Sequence, residues 1–510
     1  MEDIGGKKIE ERKEKIRAWL KDKSNLIFLG IIIFSIIIRL YYFLMTKDQT
    51  VWHDEAEYLS MAKHFFFDVP YILNPQRIFL FPWITGLLFI LGLSEQTIRF
   101  FLVIIPSIIL VILVYLLGKE MFNKEIALIA SLLTSVSWTL LFWTMRFQPD
   151  LISMCFQVLS ILFMWKYWKN KKTSLIIYSS IFASLGFMFK VSGLLVPVIF
   201  FVFIFIKDKF SIFKNKDYWI FLAIFIIVLI PQLIYAHYAF GNSLALFGTT
   251  YTTSVVNDMP FGWYNLNFYY LFTENILFIL FLIGVLISLS FLTYLDILIK
   301  DKNKLLSAEL FSILIFVIIS SYYIFWIKGT DDRWVFLWLP FIFFIIGKAL
   351  LFIYGYLKKY NKLFALIIIL TLLGYGVYSQ MNHVDELIKI KKDSYSQVKD
   401  AAFWIKENSE SGDLILSASY PQTVYYSERK VQYYRPTFEN ESSFNSFVNL
   451  NKPKFIVVSV FEYHDKWLLD WVDKNQYRLI IKKVYFADQE QKNALLIIYE
   501  INFSTSQPTS

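Results

Sequence analysis

The stretches LIFLGIIIFSIII from residue 26 and IFLAIFIIVLI from residue 220 leave this chain the fewest options. Each lies at the centre of an apolar run near the ~20 residues a helix needs to cross the hydrocarbon core of a bilayer. Runs of this character occupy 26–46, 97–117, 125–145, 151–168, 174–189, 191–206, 218–240, 275–299, 308–327, 334–357 and 363–381. The chain therefore reads as a polytopic α-helical membrane protein with about 11 transmembrane helices. Composition agrees, since 57% of the residues are hydrophobic and only 18% charged, more apolar surface than a soluble protein can hide. The first run is too long for a cleaved leader and reads as a retained anchor. Cys155 is the only cysteine, and the five histidines are not spaced as ligand pairs, so no Cys or His metal motif is present.

Topology decides which side the polar groups face. The segment 78–93, IFLFPWITGLLFILGL, is short and interrupted by Pro82 and Gly86. If it does not cross, most basic residues fall in alternate turns on one side: the N-terminal segment, Lys119 and Lys124, Lys166 to Lys172, Lys207 to Lys216, Lys300 to Lys304, and Lys358 to Lys362. If it crossed, that positive-inside bias would collapse. The segment is thus expected as a re-entrant or outer juxtamembrane helix. The net charge of +9 then reports membrane orientation, with no call for nucleic acid. Arg39, in the outer third of the first span, is expected to snorkel. The expected divisions are a basic cytoplasmic segment 1–25, a transmembrane domain with outer loops 26–383, an extracytoplasmic α/β domain 384–503 and a polar tail 504–510. In the third of these, residues 394–409 have helical periodicity, and DLILSA, KFIVVSV, YRLIIKKVYF and NALLIIYEI read as strands.

The outer side collects the chemistry. VWHDEAEYLSMAKHFF (51–66) places His53, Asp54, Glu55 and Glu57 where the first span ends. The same face carries Arg77, Arg146, Asp150, Lys190 and KGTDDR (328–333). No dinucleotide fingerprint, P-loop or Ser–His–Asp set appears. What remains is carboxylates, able to act as a base or to hold a divalent ion, and cations able to hold the phosphate of a lipid. Each has a plainer role open to it: Asp54 and Asp150 as helix caps, Lys190 as a snorkelling lysine, Arg333 as a partner of Asp331 or Asp332.

DEAEY (54–58), RFQPD (146–150), GFMFKVSGLLVPV (186–198) and DRWVFLWLP (332–340), in this order, resemble the membrane glycosyltransferases of the GT-C type, such as protein O-mannosyltransferases and lipid A aminoarabinose transferases. The resemblance spans roughly residues 26–345 and implies an extracytoplasmic transfer from a polyprenyl-phosphate sugar. By it, Asp54 is the acid that activates the acceptor, Glu55 its neighbour in the acidic pair, and Asp150 the second acid. Lys190 and Arg333 match basic positions near the lipid phosphate, with Arg146 beside Asp150. Arg77, next to the juxtamembrane helix, is a further candidate phosphate ligand. Trp334 departs from the tyrosine expected after the late arginine, and His53 precedes the acidic pair. No cofactor is assigned, and a divalent cation stays open. The expected partners are the lipid-phosphate donor, membrane lipids, and a protein, lipid or glycan acceptor. The competing reading is a transporter or lipid-linked-sugar flippase, which should carry ionisable groups near mid-membrane; none is read there. An oligosaccharyltransferase is a weaker alternative, because its Trp-Trp-Asp acceptor motif is absent.

Overall fold

The computed structural model describes residues 10, 13–14, 17–247, 268–273, 275–290, 304–327, 331–434, 437–438, 440–487 and 492–504. Much of the basic N-terminal segment, positions 291–299 of the expected span 275–299, residues 328–330 and nearly all of the polar tail lie outside the described residues. Packing divides the chain into two units: Met1–Thr46 with Arg99–Ile388, and Lys47–Ile98 with Lys389–Ser510. Residues 47–98, expected as part of the transmembrane domain, thus group with the C-terminal region.

The first unit is helical. Among the described residues eight helices are long and apolar enough to cross a membrane, or nine if one bent pair is a single span. They begin with α1 (Lys23–Met45), and the second span holds a π-turn at Phe100–Ile104 just before Pro106. A proline cannot donate to the carbonyl one turn back, and a π-turn accommodates the missing bond. The bent pair is Lys124–Val136 and Trp138–Thr144, which meet at 50°. Ser137 breaks the helix in a non-helical conformation, and the freed Trp138 N–H donates to Gln380 Oε1 at 2.9 Å. Next come Asp150–Asn170, Thr173–Phe189 and Leu195–Asp208, then a 3-10 turn at Lys209–Lys214, Lys216–Phe240, Asn275–Ser290, Lys304–Ser321, Leu339–Leu357 and Lys362–Lys391. Two expected spans, 174–189 and 275–299, fall on described helices of only 17 and 16 residues.

Lipid offers no hydrophobic force between helices, so close contact and polar pairs hold them. Ser160 and Ser179 donate to each other's carbonyls at 2.7 and 2.9 Å, tying Asp150–Asn170 to Thr173–Phe189. A Cβ on Gly284 would come within 2.3 Å of the Ile345 carbonyl oxygen, so only glycine admits that approach. Arg39 does not snorkel. It is completely buried and donates to Ser107 Oγ (2.8 Å), Ser35 Oγ (2.7 Å) and the Ser135 carbonyl (3.0 Å). The spans also hold an ion pair that the sequence reading did not find. Buried Lys348 donates to both oxygens of Glu309 (2.8 and 2.6 Å) and to Ser288 Oγ (2.9 Å), joining three helices.

The second unit is α/β. Among the described residues its five strands are β1 (Leu414–Ser417), β2 (Lys430–Gln432), β3 (Phe455–Ser459), β4 (Leu479–Phe486) and β5 (Ala494–Ile501), ordered β2-β1-β3-β5-β4. β1 runs parallel to β2 and β3, while β5 is antiparallel to β3 and β4. The four strands read from sequence are present, and the helix expected over 394–409 is Ser396–Asn408. The helices His53–Phe67 and Leu80–Ile90 belong here too. Met61, Val69 and Tyr71 share a core with Val398, Ile415 and Phe455. Ser60 Oγ donates to the Pro421 carbonyl at 3.1 Å, and Tyr420 Oη accepts from the Ile72 N–H at 2.7 Å. The 11-residue Leu80–Ile90 is about 16 Å long at 1.5 Å per residue, well short of a ~30 Å core, so it cannot cross as a straight helix.

Candidate functional site

The predicted site residues divide between the units: Asp54, Glu55 and Arg77 in the second, Arg146, Asp150, Lys190 and Arg333 in the first.

In the second unit the start of His53–Phe67 sorts the acids by task. Trp52 is the extended N-cap, and Glu55, three residues on, accepts the Trp52 N–H at 2.5 Å. Glu55 is therefore committed to closing the helix start and is 1% exposed. Asp54 is not the cap. It lies one helical turn from Glu57, on the same face. Arg77 joins the two, its Nη2 donating to Asp54 Oδ1 at 2.7 Å and its Nε to Glu57. Asn74 completes the clamp, donating to Glu57 Oε1 at 3.0 Å and accepting the Arg77 N–H on its carbonyl at 3.0 Å. Burial works against the Arg77 charge, yet the Asp54 and Glu57 carboxylates outweigh it and hold the guanidinium firmly protonated.

In the first unit Asp150 opens Asp150–Asn170, where the helix dipole favours a negative charge. Its side chain is 3% accessible and forms an ion pair with Lys190. Lys190 stands in extended backbone just past the end of Thr173–Phe189, its N–H donating to the Gly186 carbonyl at 3.1 Å. Ser153 Oγ donates to that same carbonyl at 2.6 Å, fixing the two helix ends side by side. The chain then folds back so tightly that a Cβ on Gly193 would sit 2.4 Å from the Phe187 nitrogen. Asp150, Lys190 and Arg333 all line one cavity of about 20 Å³, with Gln157, Tyr323 and Trp334 among its walls. Arg333 binds Asp331 through Nε and Nη2, at 3.0 and 2.5 Å, and stacks over the Trp143 ring at 4.6 Å. Arg146 is buried, its guanidinium 5.8 Å from the centre of the Phe142 ring.

The neighbouring carboxyls of Asp331 and Asp332 are driven apart. Burial raises Asp331, but the hydrogen bonds and charge of Arg333 and the charge of Lys190 outweigh it and keep that group below the usual carboxylate range. Burial, aided by the negative Asp331, pushes Asp332 above that range despite donors from Trp143 Nε1 (2.7 Å) and Thr139 Oγ1 (3.0 Å). Trp143 and Thr139 lie on Trp138–Thr144, the half-span turned at Ser137. Glu57, Asn74, Asp331, Asp332 and Trp143 were not among the assigned site residues. Spacing alone could have placed Glu57 beside Asp54; nothing local links Asp332 to a tryptophan 189 residues away. Among the described residues, no three His, Cys, Asp or Glu side chains are grouped to hold a metal ion.

The fold is that of the GT-C type membrane glycosyltransferases. Residues 75–235, under a third of the chain, match the model of the dolichyl-phosphate-mannose-protein mannosyltransferase family. ArnT from Cupriavidus metallidurans, solved bound to undecaprenyl phosphate, is 10% identical with a TM-score of 0.62, over 94% of this chain and 99% of that one. The Archaeoglobus fulgidus oligosaccharyltransferase, solved tethered to an acceptor peptide containing the NVT sequon, is 14% identical with a TM-score of 0.63, over 87% of this chain and 70% of that one. The arabinofuranosyltransferase AftD from Mycobacteria is 11% identical with a TM-score of 0.53, over 91% of this chain and 41% of that one. At such identities the likeness is one of fold. No curated protein sequence matches the chain.

Proposed function

We propose that this protein is an integral-membrane glycosyltransferase that moves a hexose or pentose from a polyprenyl-phosphate donor to a protein, lipid or glycan acceptor on the extracytoplasmic face. Asp54 takes the acceptor proton as the acceptor oxygen or nitrogen bonds to the sugar carbon and the bond from that carbon to the phosphate oxygen breaks. Lys190, Arg333 and Arg146 stabilise the charge left on the lipid phosphate, and Arg77 is a further candidate phosphate ligand only if its fork leaves Asp54 and Glu57. Asp150 holds Lys190 in place, and Glu55 holds the turn that presents Asp54.

The observation that carries this reading is the cavity lined by Asp150, Lys190 and Arg333, which brings together two cations, each paired with an aspartate, in a GT-C fold. Its small size fits an anchoring notch for a phosphate oxygen, with the lipid tail outside it. The buried pair Lys348–Glu309 is what a transporter reading would point to. That pair, however, is satisfied by its own charges and Ser288.

The test is transfer by purified protein in detergent from a polyprenyl-phosphate sugar, compared with the matching nucleotide sugar. Transfer from the lipid donor alone is expected; efficient use of the nucleotide sugar without lipid would end the reading. Mass spectrometry of glycans from cells lacking the gene identifies the sugar and the acceptor.

A further inference from the structure

A second cavity lies at the far end of Asp150–Asn170. It has a volume of about 180 Å³, opens to the surface, and is walled by that helix, Leu195–Asp208, the 3-10 turn Lys209–Lys214 and Lys216–Phe240. Met164 is 14 residues beyond Asp150, so about 21 Å along the helix separates this cavity from the one that holds Asp150 and Lys190.

Its lining is apolar throughout, apart from Tyr218 and Trp219, and both spend their polar atoms elsewhere. Tyr218 Oη donates to Asp208 at 3.0 Å, and Trp219 Nε1 donates to the Phe213 carbonyl at 3.0 Å. Water placed against these walls would find no side-chain partner, and apolar cavities take up hydrocarbon in its place. The cavity belongs to the lipid-facing side of the unit. Of the eight candidate spans Lys216–Phe240 is the least covered by protein, with 22% of its apolar window buried.

Charge supplies the second half of the argument. Lys209, Lys214 and Lys216 are exposed on the turn that rims the cavity. The acids of the same turn are drawn inward: Asp208 accepts from Tyr218, and Asp217 accepts from Tyr167 Oη at 2.8 Å and Thr173 Oγ1 at 2.9 Å. Three exposed ammonium groups thus flank Ile212 and Phe213, the turn residues that line the apolar slot.

We propose that this cavity is a binding site for one anionic phospholipid, with an acyl chain in the slot and the phosphate on Lys209, Lys214 and Lys216. The slot shares no lining residue with the cavity of Asp150 and Lys190, and the proposal does not depend on the transferase reading. The plainer account is that the lysines only orient the protein in the membrane; the experiment separates the two.

Delipidated full-length protein in detergent is titrated with phosphatidylglycerol or phosphatidylcholine and the bound lipid counted by native mass spectrometry. One tightly bound phosphatidylglycerol is expected, with phosphatidylcholine weaker. Each lysine replaced by Gln should weaken phosphatidylglycerol about fivefold, the factor that about 1 kcal/mol per surface cation represents, and leave phosphatidylcholine unchanged. Leu222→Trp, which fills the slot, should abolish the tight binding of phosphatidylglycerol and weaken phosphatidylcholine further while the lipid-free unfolding temperature holds. Should that variant fail to fold, Ile204→Phe reads the same outcome. Equal binding of the two lipids by the wild type, wild-type binding by the triple Gln variant, or tight phosphatidylglycerol retained after the slot is filled would each overturn the proposal. The second of these outcomes would leave the lysines an orienting role only.

Discussion

Lys190→Met separates two tasks that one ammonium group performs. The group neutralises Asp150, and on the proposed mechanism it also holds the donor phosphate. Asp150 is 3% accessible, and among the described residues its Oδ2 has no hydrogen-bond partner, so Lys190 is the counter-charge that makes the carboxylate tolerable there. Removing one partner of a buried pair typically costs about 3–5 kcal/mol. The dipole of the helix that begins at Asp150 offsets about 0.3–1 kcal/mol, so a net loss of about 2–5 kcal/mol is expected. That is a large share of the ~5–15 kcal/mol that holds an ordinary domain folded. Thermal unfolding in detergent should therefore show a clear drop for Lys190→Met. Adding Asp150→Asn removes the stranded charge and should restore most of the stability. Phosphate binding should not return with it. Each lost charge-assisted hydrogen bond is worth about 1.5–3 kcal/mol, so the double variant should bind a polyprenyl phosphate about ten- to a hundredfold more weakly than wild type. A double variant that binds polyprenyl phosphate like wild type would show that Lys190 serves only Asp150. A single variant that unfolds at the wild-type temperature would refute the buried-pair argument itself.

Asp54→Asn should lower transfer about a hundredfold or more while expression and membrane insertion hold, because a lone base is lost and Arg77 keeps Glu57; near wild-type turnover would remove Asp54 from the mechanism. Arg333→Lys should recover only part of what Arg333→Ala loses in donor affinity, since the planar fork over Trp143 is gone; full recovery would mean that charge alone matters. Gly193→Ala forces a Cβ against the Phe187 nitrogen and should destabilise by about 1–3 kcal/mol, read as a lower unfolding temperature and weaker donor binding; an unchanged protein would mean the turn after Lys190 relaxes freely. Burial opposes the Glu428 charge, but Lys406 and Lys63 outweigh it and hold the carboxyl below its usual range, while burial still leaves the Lys63 amine below the ordinary lysine range. With the folded value depressed, the Glu428 contribution is complete above the unfolded value of about 4.3 and fades as pH falls through the folded one. Glu428→Gln should therefore lower the unfolding temperature at neutral pH and lose less than wild type on acidification below about pH 4; parallel curves would show that the carboxylate contributes nothing.

The helices were legible because a membrane span declares itself by length and apolarity, and the strands β1, β3, β4 and β5 because each is a β-branched or aliphatic run between turns. β2 escaped notice at three residues, too few for any periodicity. The grouping of 47–98 with 389–510 was hidden for another reason. Its contacts, such as Ser60 with Pro421, join residues 361 apart, and nothing in either local pattern names the other. In the candidate site the residue types were legible and their partnerships were not. DEAEY shows four side chains able to cap, pair or catalyse, and only the extended Trp52 backbone reveals that Glu55 closes the helix start and that Asp54 is left for Arg77. Arg39 misled for a physical reason. Snorkelling is the default for an arginine near a span end, whereas here three serine contacts make a polar pocket for it inside the bundle.

Lys348 and Glu309 also bear on how the chain enters the membrane. Glu309 is synthesised 39 residues before its lysine, so the acid reaches the bilayer while its counter-charge is still unmade. A lone charged side chain at the centre of a span costs about 2.5–3.5 kcal/mol on insertion scales, and Lys348 stands at the middle of Leu339–Leu357, so that helix is not a comfortable passenger by itself, whereas Glu309 lies near the start of its own helix. Leu339–Leu357 should therefore enter lipid only against Lys304–Ser321, which offers Glu309, with Ser288 already in place. Severing the pair would then be felt first as a biogenesis defect, with the later span stalling on the wrong side before any finished protein could lose stability.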